Sequence, residues 1–305
     1  MKRWGFLFLL LCLGLTFVNL ETFSEPNVKI QNDNQSEKTI TEDGRLSENI
    51  NRVEITEDQI YQGDLLLVNN NYPVHQESIK SDIVNLSANS DLAQSYALLG
   101  SDIYLSADIA HKFKEMVESA KKEGLQYFAI TSGFRDFDEQ SVLYQNMGSA
   151  YALPPGYSEH NLGLSLDVGS TQMKMAVAPE GKWIEENAWK FGFVLRYPKD
   201  KAKITGIQYE PWHIRYVGLP HSAIMKEKNF SLEEYMDFLT EQKSISTTID
   251  GDKYEITYYP LSEDTTIQVP SNLPWEISGN NIDGVIVTVY PKTINNDRKE
   301  VRMAQ

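Results

Sequence analysis

Two segments of this sequence carry side chains whose types and spacing could hold a metal ion and move a proton. The first runs Ser158-Glu159-His160-Asn161-Leu162-Gly163-Leu164-Ser165-Leu166-Asp167. The second runs Tyr209-Glu210-Pro211-Trp212-His213-Ile214-Arg215-Tyr216. A catalytic zinc site needs about three nitrogen or oxygen ligands and one open position for water. His160, Asp167 and His213 supply two imidazoles and a carboxylate. Glu210, outside that ligand set, supplies a carboxylate able to act as general base on the activated water. Each residue alone also fits a plainer role. A single histidine is commonly a satisfied structural residue, Asp167 fits a turn or a salt bridge, and Glu210 before Pro211 fits a solvated loop. Only the combination points to chemistry.

The elements that position these residues follow from local pattern. Residues 163–168 alternate like a strand, which puts Ser165 and Asp167 on one face and leaves His160 in the loop leading in. His213 and Arg215 share a face of a later strand over residues 212–217. Glu210 would point the opposite way in a regular strand, so Pro211 is expected to break the regularity and turn it toward His213. Ser106 reads as the cap of a helix carrying Ile109, Phe113, Met116, Val117 and Ala120, ended by Gly124. A strand over 127–132 stops at Gly133; helices are predicted over 138–146 and 182–191, and a strand over 193–196. Residues 64–69 read as a short strand and turn, and Ser231-Leu232-Glu233-Glu234 as a capping box opening a last helix. Beyond residue 240 the texture changes. Ile249-Asp250-Gly251-Asp252 is a hairpin signal, and strands are predicted over 254–259, 266–269 and 285–290. The fold class is therefore α+β: a small antiparallel sheet with flanking helices carrying the metal site, plus a small C-terminal β module over residues 241–305.

The bulk properties bound the function classes. A net charge of -15 over 305 residues repels nucleic acid and offers no footprint for phosphate. The single cysteine, Cys12, excludes an intrachain disulfide and a cysteine-based structural zinc site. Lys2 and Arg3 precede an apolar run over residues 4–18, a targeting segment that places the remainder outside the cell. No small-residue cleavage site follows, so residues 1–20 read as a membrane anchor, with a cleaved signal and secretion as the alternative. Residues 21–55 are polar, acidic and aperiodic, a flexible linker; residues 56–240 form the domain with the metal site. His75, His111 and His221 are placed in loops or on an exposed helix face and are not expected as ligands.

The two segments resemble the motifs Ser-x-His-x-x-Gly-x-x-x-Asp and Glu-x-Trp-His of the VanY-type zinc D,D-carboxypeptidases. Ser165 stands where that family often has Ala, and Phe134 where it often has Tyr; neither departure touches the metal site. The resemblance implies that His160, Asp167 and His213 hold Zn2+ and that Glu210 is the general base. It further implies that Arg135, within Ser132-Gly133-Phe134-Arg135, polarises the scissile carbonyl, and that Gln140 and Ser158 hydrogen-bond the substrate end. A salt bridge to Asp136 or Asp138 is the plainer role for Arg135. Tyr209 and Trp212 flank the base and are candidates for lining the groove. The implied substrate is a peptidoglycan stem pentapeptide ending in D-Ala-D-Ala or D-Ala-D-lactate. The alternatives are a D-Ala-D-Ala dipeptidase or wall endopeptidase on the same scaffold, and a non-catalytic zinc-containing wall-binding module.

Overall fold

The computed structural model describes residues 28–32, 50–148, 152–262 and 265–292. The expected anchor at residues 1–20 lies outside the described residues. A five-stranded sheet forms the frame of the site, in the order Ala97–Leu98, Phe128–Ser132, Ser165–Ser170, His213–Tyr216, Phe193–Leu195. The first pair is parallel and the other three are antiparallel. Helix Ala107–Lys122 lays its apolar stripe, Ile109, Phe113, Met116, Val117 and Ala120, into this sheet's core beside Phe128, Leu166, Phe193 and Ile214. Ser106 caps it as expected, its side chain accepting from Ile109 N. Helix Pro179–Asn187 starts earlier than the periodicity predicts, because Pro179 suits the first turn, and it tightens into a 3₁₀ turn over Ala188–Phe191.

A second five-stranded sheet takes the order Lys29–Asn32, Ser244–Ile249, Asp252–Pro260, Gly284–Val289, Trp275–Gly279, antiparallel throughout. Its first hairpin turns at Asp250 and Gly251, with φ of 51° and 92°, the left-handed pair that a two-residue turn matched to strand twist requires. Two expectations change here. Residues 21–55, read as a linker, contain the strands Lys29–Asn32 and Ile50–Glu54, the latter pairing with Thr266–Pro270. Both are short edge strands held mainly by backbone bonds. One apolar contact each, Ile30 on one core and Val53 on another, leaves no periodicity to read.

The C-terminal β module is also not a separate body. Ile245, Ile256, Tyr258 and Ile286 share one core with Leu65, Leu67, Ile224, Met225, Leu232, Tyr235 and Leu239. Residues 64–69, expected as a strand, join no sheet. Their period-2 alternation is real, but both faces are buried: Leu66 and Val68 enter the core of the first sheet, Leu65 and Leu67 the shared core. Backbone groups that a neighbouring strand would satisfy are met by the module instead. Leu67 N donates to Asn280 O at 3.1 Å and Leu65 N to Ser278 Oγ at 2.9 Å. Asn281, at φ 63°, donates to both Leu67 O and Pro73 O at 2.9 Å. Asn281→Ala leaves two buried carbonyls short of a donor and forces a left-handed alanine. The expected loss is about 2–4 kcal/mol, read as a lower urea midpoint by circular dichroism.

His221, placed in a loop by its neighbour Pro220, opens the helix His221–Lys228. It is buried between Tyr235 Oη at 2.8 Å and Thr288 Oγ1 at 2.9 Å, and burial lowers its pKa to about 3. A neutral ring therefore ties the helices to the module.

Candidate active site

Strand register brings the proposed ligands together. Asp167 on the Ser165–Ser170 strand lies directly opposite His213 on the His213–Tyr216 strand. His160 comes from a 3₁₀ turn, Glu159–Asn161, whose cap is Ser158: the Ser158 Oγ accepts from His160 N at 3.4 Å. Gly163, at φ 85°, then turns the chain into the strand, and a side chain there would run into Ile83 and Lys80. One ligand atom each from His160, Asp167 and His213 fall within 4.8 Å of one another. Asp167 Oδ1 stands 3.4 Å from His160 Nε2 and 3.1 Å from His213 Nδ1.

The second nitrogen of each ring is spoken for. His160 Nδ1 lies 2.6 Å from Gly133 O, which can only accept, so Nδ1 carries the proton and Nε2 is left for a metal. His213 Nε2 faces Glu159 Oε2 at 3.4 Å, leaving Nδ1 for the metal. Outer partners of this kind fix ring orientation in metal sites. Together with the mixed nitrogen and oxygen donor set, they make the cluster a good fit for Zn2+. The Tyr197 ring packs 4.9 Å from the His213 ring and closes that side.

Electrostatics separate the groups. Burial and the nearby Arg135 lower His160 to about 4, so its ring is neutral. Burial opposes charge on His213 too, but the hydrogen bonds it donates to Asp167 and Glu159 prevail and raise it to about 9. Carboxylates that favour a proton at His213 Nδ1 favour a divalent cation there in its place. Asp167 is itself held well below the usual carboxylate range: the two histidines outweigh its desolvation.

Glu210 ends the turn before the His213 strand, with His213 N donating to Glu210 O at 3.3 Å. That turn through Pro211 brings its carboxylate to 4.0 Å from His213 Nδ1, the side on which regular strand geometry would not place it. Burial pushes its pKa up to about 7, a value suited to taking and returning a proton.

Arg135 is stapled beside the ligand turn. Its N donates to His160 O at 3.1 Å, and its carbonyl accepts from Asn161 Nδ2 at 2.7 Å. The charges that act on its guanidinium most strongly are Asp167 and then Glu210, not Asp136 or Asp138. Burial lowers its pKa, and Asp167 and Glu210 pull the other way, which couples the guanidinium electrostatically to the metal cluster.

The remaining candidates sit differently. Gln140 is buried, but its amide donates to Leu153 O at 2.6 Å and so ties down the chain at the cleft edge, while its Oε1 has no partner. Ser158 acts as the cap described above. Trp212 is 40% exposed beside Glu210, a position compatible with a groove wall. Tyr209 is half-buried, and the charge bearing on its phenol is Glu185 of helix Pro179–Asn187 rather than any group of the metal cluster.

Sequence reading missed Tyr197 and the buried ion cluster of Glu159, Arg196, Arg215 and Glu233. The one available signal was Arg215, which shares a strand face with His213. Gly133 carries a further expectation, since a Cβ there would collide with the Tyr104 carbonyl, which cannot swing aside. Gly133→Ala is expected to cost about 1–3 kcal/mol and to loosen the carbonyl that orients His160. Thermal melts should then show a lower Tm and a smaller rise on adding zinc.

Two buried histidines and an aspartate with ligand atoms within 4.8 Å of one another, a carboxylate beside them and an arginine coupled to that cluster fit a metal-dependent hydrolase. Residues 102–219 match the family model described as VanY: D-alanyl-D-alanine carboxypeptidase. A D-alanyl-D-alanine carboxypeptidase of Enterococcus faecium is 64% identical over 303 residues, 98% of this chain and 100% of that one. VanXYC of Enterococcus gallinarum, a bifunctional D-Ala-D-Ala dipeptidase and D-Ala-D-Ala carboxypeptidase, is 34% identical over 193 residues, 58% of this chain and 95% of its own. The crystal structure of the vancomycin-resistance D,D-dipeptidase VanXYg, in complex with a D-Ala-D-Ala phosphinate analogue, is similar with a TM-score of 0.69. It is 33% identical, covering 79% of this chain and 99% of that one. The chain belongs to the VanY family of D-alanyl-D-alanine carboxypeptidases.

Proposed function

We propose that this chain is a zinc D,D-carboxypeptidase that removes the terminal D-Ala, or D-lactate, from peptidoglycan stem peptides, and so contributes to resistance to vancomycin-type glycopeptides. The observation that carries this is the Glu210 carboxylate, 4.0 Å from a ligand atom of the His160, Asp167 and His213 cluster and raised to about 7. Those three residues would hold Zn2+, which would supply Lewis acidity and lower the pKa of water toward about 7. Glu210 takes the proton of the attacking water and returns it to the departing group, the D-Ala amine as the C–N bond breaks or the D-lactate oxygen as the C–O bond breaks. Arg135 sets a fixed positive charge where the carbonyl oxygen becomes negative. Tyr197 walls the cleft on the His213 side, and the exposed Trp212 is available to contact substrate.

The test is release of D-Ala from a pentapeptide precursor by the full chain. Release should be abolished by a zinc chelator, restored by added zinc and unchanged by penicillin. The last follows because the proposed mechanism uses no serine nucleophile; among the described residues, Ser158 caps the ligand turn and Ser165 is bonded to Glu159. Penicillin inhibition, or release that ignores the chelator, would refute the mechanism.

Dipeptidase activity is the second reading, favoured by the similarity to the D,D-dipeptidase VanXYg. Free D-Ala-D-Ala offered beside the pentapeptide separates the two by their kcat/KM ratio. A wall-binding module with a structural zinc has no use for a general base, and Glu210 argues against it. We further propose that residues 1–20 tether the catalytic domain to the outer face of the membrane, supported by Lys2, Arg3 and the apolar run that follows. No helix among the described residues is long and apolar enough to cross a membrane. A chain lacking residues 1–20 should move from the membrane fraction to the soluble one.

A further inference from the structure

Glu159 is fully buried next to a metal ligand, and the chemistry above makes no use of it. Its two oxygens face in different directions. Oε1 accepts from Arg196 Nε at 2.8 Å and from Arg215 Nη1 at 2.9 Å. Oε2 accepts from Ser165 Oγ at 3.1 Å and faces His213 Nε2 at 3.4 Å. Both arginines are themselves held from behind. Arg196 makes a two-pronged pair with Glu233, at 2.9 and 2.7 Å, and Arg215 Nη2 donates to Asp64 O and Leu66 O at 3.0 Å each. Buried charges are a costly way to fill a core, and well-packed apolar residues often do as well. This cluster does something an apolar core cannot: it presents an anchored anionic acceptor to one nitrogen of a metal-ligating ring.

We propose that Glu159 is a positioning residue of the metal centre. It accepts the Nε2–H of His213, turns Nδ1 toward the position shared with His160 and Asp167, and raises the basicity of that ligand. Arg196 and Arg215 hold the carboxylate in place. The proposal rests on the metal-site reading of the three ligands, but not on which peptide bond is cut.

Zinc affinity of the full chain, measured by competition with a chromophoric chelator, tests it independently of turnover. Glu159→Gln should bind zinc about 10- to 100-fold more weakly. An amide offers one accepting oxygen where both His213 and the arginine pair require one, so either orientation sets two donors against each other. Glu159→Asp keeps the charge and should recover part of the loss. Glu233→Gln disturbs the same Arg196 without touching Glu159. A purely structural role predicts that Glu159→Gln and Glu233→Gln both lower the Tm and that neither changes zinc affinity. A folded Glu159→Gln protein with wild-type zinc affinity and an unchanged visible spectrum of its cobalt form would therefore overturn the proposal.

Should Glu159→Gln fail to fold, long-range 1H–15N correlation spectra of the zinc-loaded wild type decide the matter. The expected pattern is opposite tautomers, with the proton on Nε2 in His213 and on Nδ1 in His160. Metal at His213 Nε2 would remove any role for Glu159. Weaker zinc binding in Glu159→Gln, combined with no D-Ala release by the wild type, would sink the peptidase reading and leave this one standing.

Discussion

Glu210→Ala is expected to lower D-Ala release from a pentapeptide by about 10²- to 10⁴-fold while the protein keeps its zinc. The two halves of that result come from different parts of the geometry. Glu210 is not one of the three clustered residues, and its carboxylate stands 4.0 Å from His213 Nδ1. Removing it leaves His160, Asp167 and their outer partners as they are. The proton path goes instead, because among the described residues the two other carboxylates beside the histidines are already engaged. Asp167 is committed to both histidines, and Glu159 is sealed behind His213 by two arginines. Zinc content by atomic absorption, together with single-turnover D-Ala release, checks both halves. Wild-type turnover in a zinc-loaded variant would strike Glu210 from the mechanism. Loss of zinc along with activity would recast it as a ligand.

Asp167→Ala should act in the opposite order: metal first, activity as a consequence. Asp167 Oδ1 approaches both ring nitrogens assigned to the metal, and it is the strongest charge acting on Arg135. Its removal takes away one of the three proposed ligands and the strongest negative charge acting on Arg135. Zinc affinity should fall by more than the about 10- to 100-fold typical of losing an outer partner. Activity should drop to the chelator-treated background and recover only at high zinc. Competition titration against a chelator measures the first, and zinc-dependent D-Ala release the second. The ranking matters as much as the size: a variant at Asp167 that binds zinc better than one at Glu159 would mean that ligand and outer partner have been exchanged.

The interleaving of the C-terminal strands with the catalytic part adds a structural consequence. The segment Leu65 to Val68 is gripped on one side by Arg215 and on the other by Ser278, Asn280 and Asn281. Arg215 in turn holds Glu159, and Glu159 faces His213. A continuous path of hydrogen bonds therefore runs from the module to a metal ligand. In this fold the module buttresses the site, whatever else it contacts.

The sequence by itself determined the parts of this protein that depend on near neighbours. Types and order of the three proposed ligands and the proposed base are local facts, and so are the Ser106 and Ser231 caps and the Asp250-Gly251 turn, each decided within about four residues. The antiparallel α+β frame followed from alternation and helical period in the same way. Only the tertiary structure decided the rest. Glu159 and Arg215 are 56 residues apart, and Glu159 and Arg196 are 37 apart. In sequence each reads as an ordinary solvated charge, and only their meeting inside the core makes them an outer shell for His213. That Gln140, expected to reach substrate, also donates its amide to Leu153 O is likewise a tertiary fact, because the chain returns past it there. The strands at residues 29–32 and 50–54 exist because distant strands offer them free edges, and an edge pairs through backbone groups that every residue carries. Side-chain pattern reports burial over one or two turns of chain; pairing between remote charges and remote backbone edges leaves no local trace.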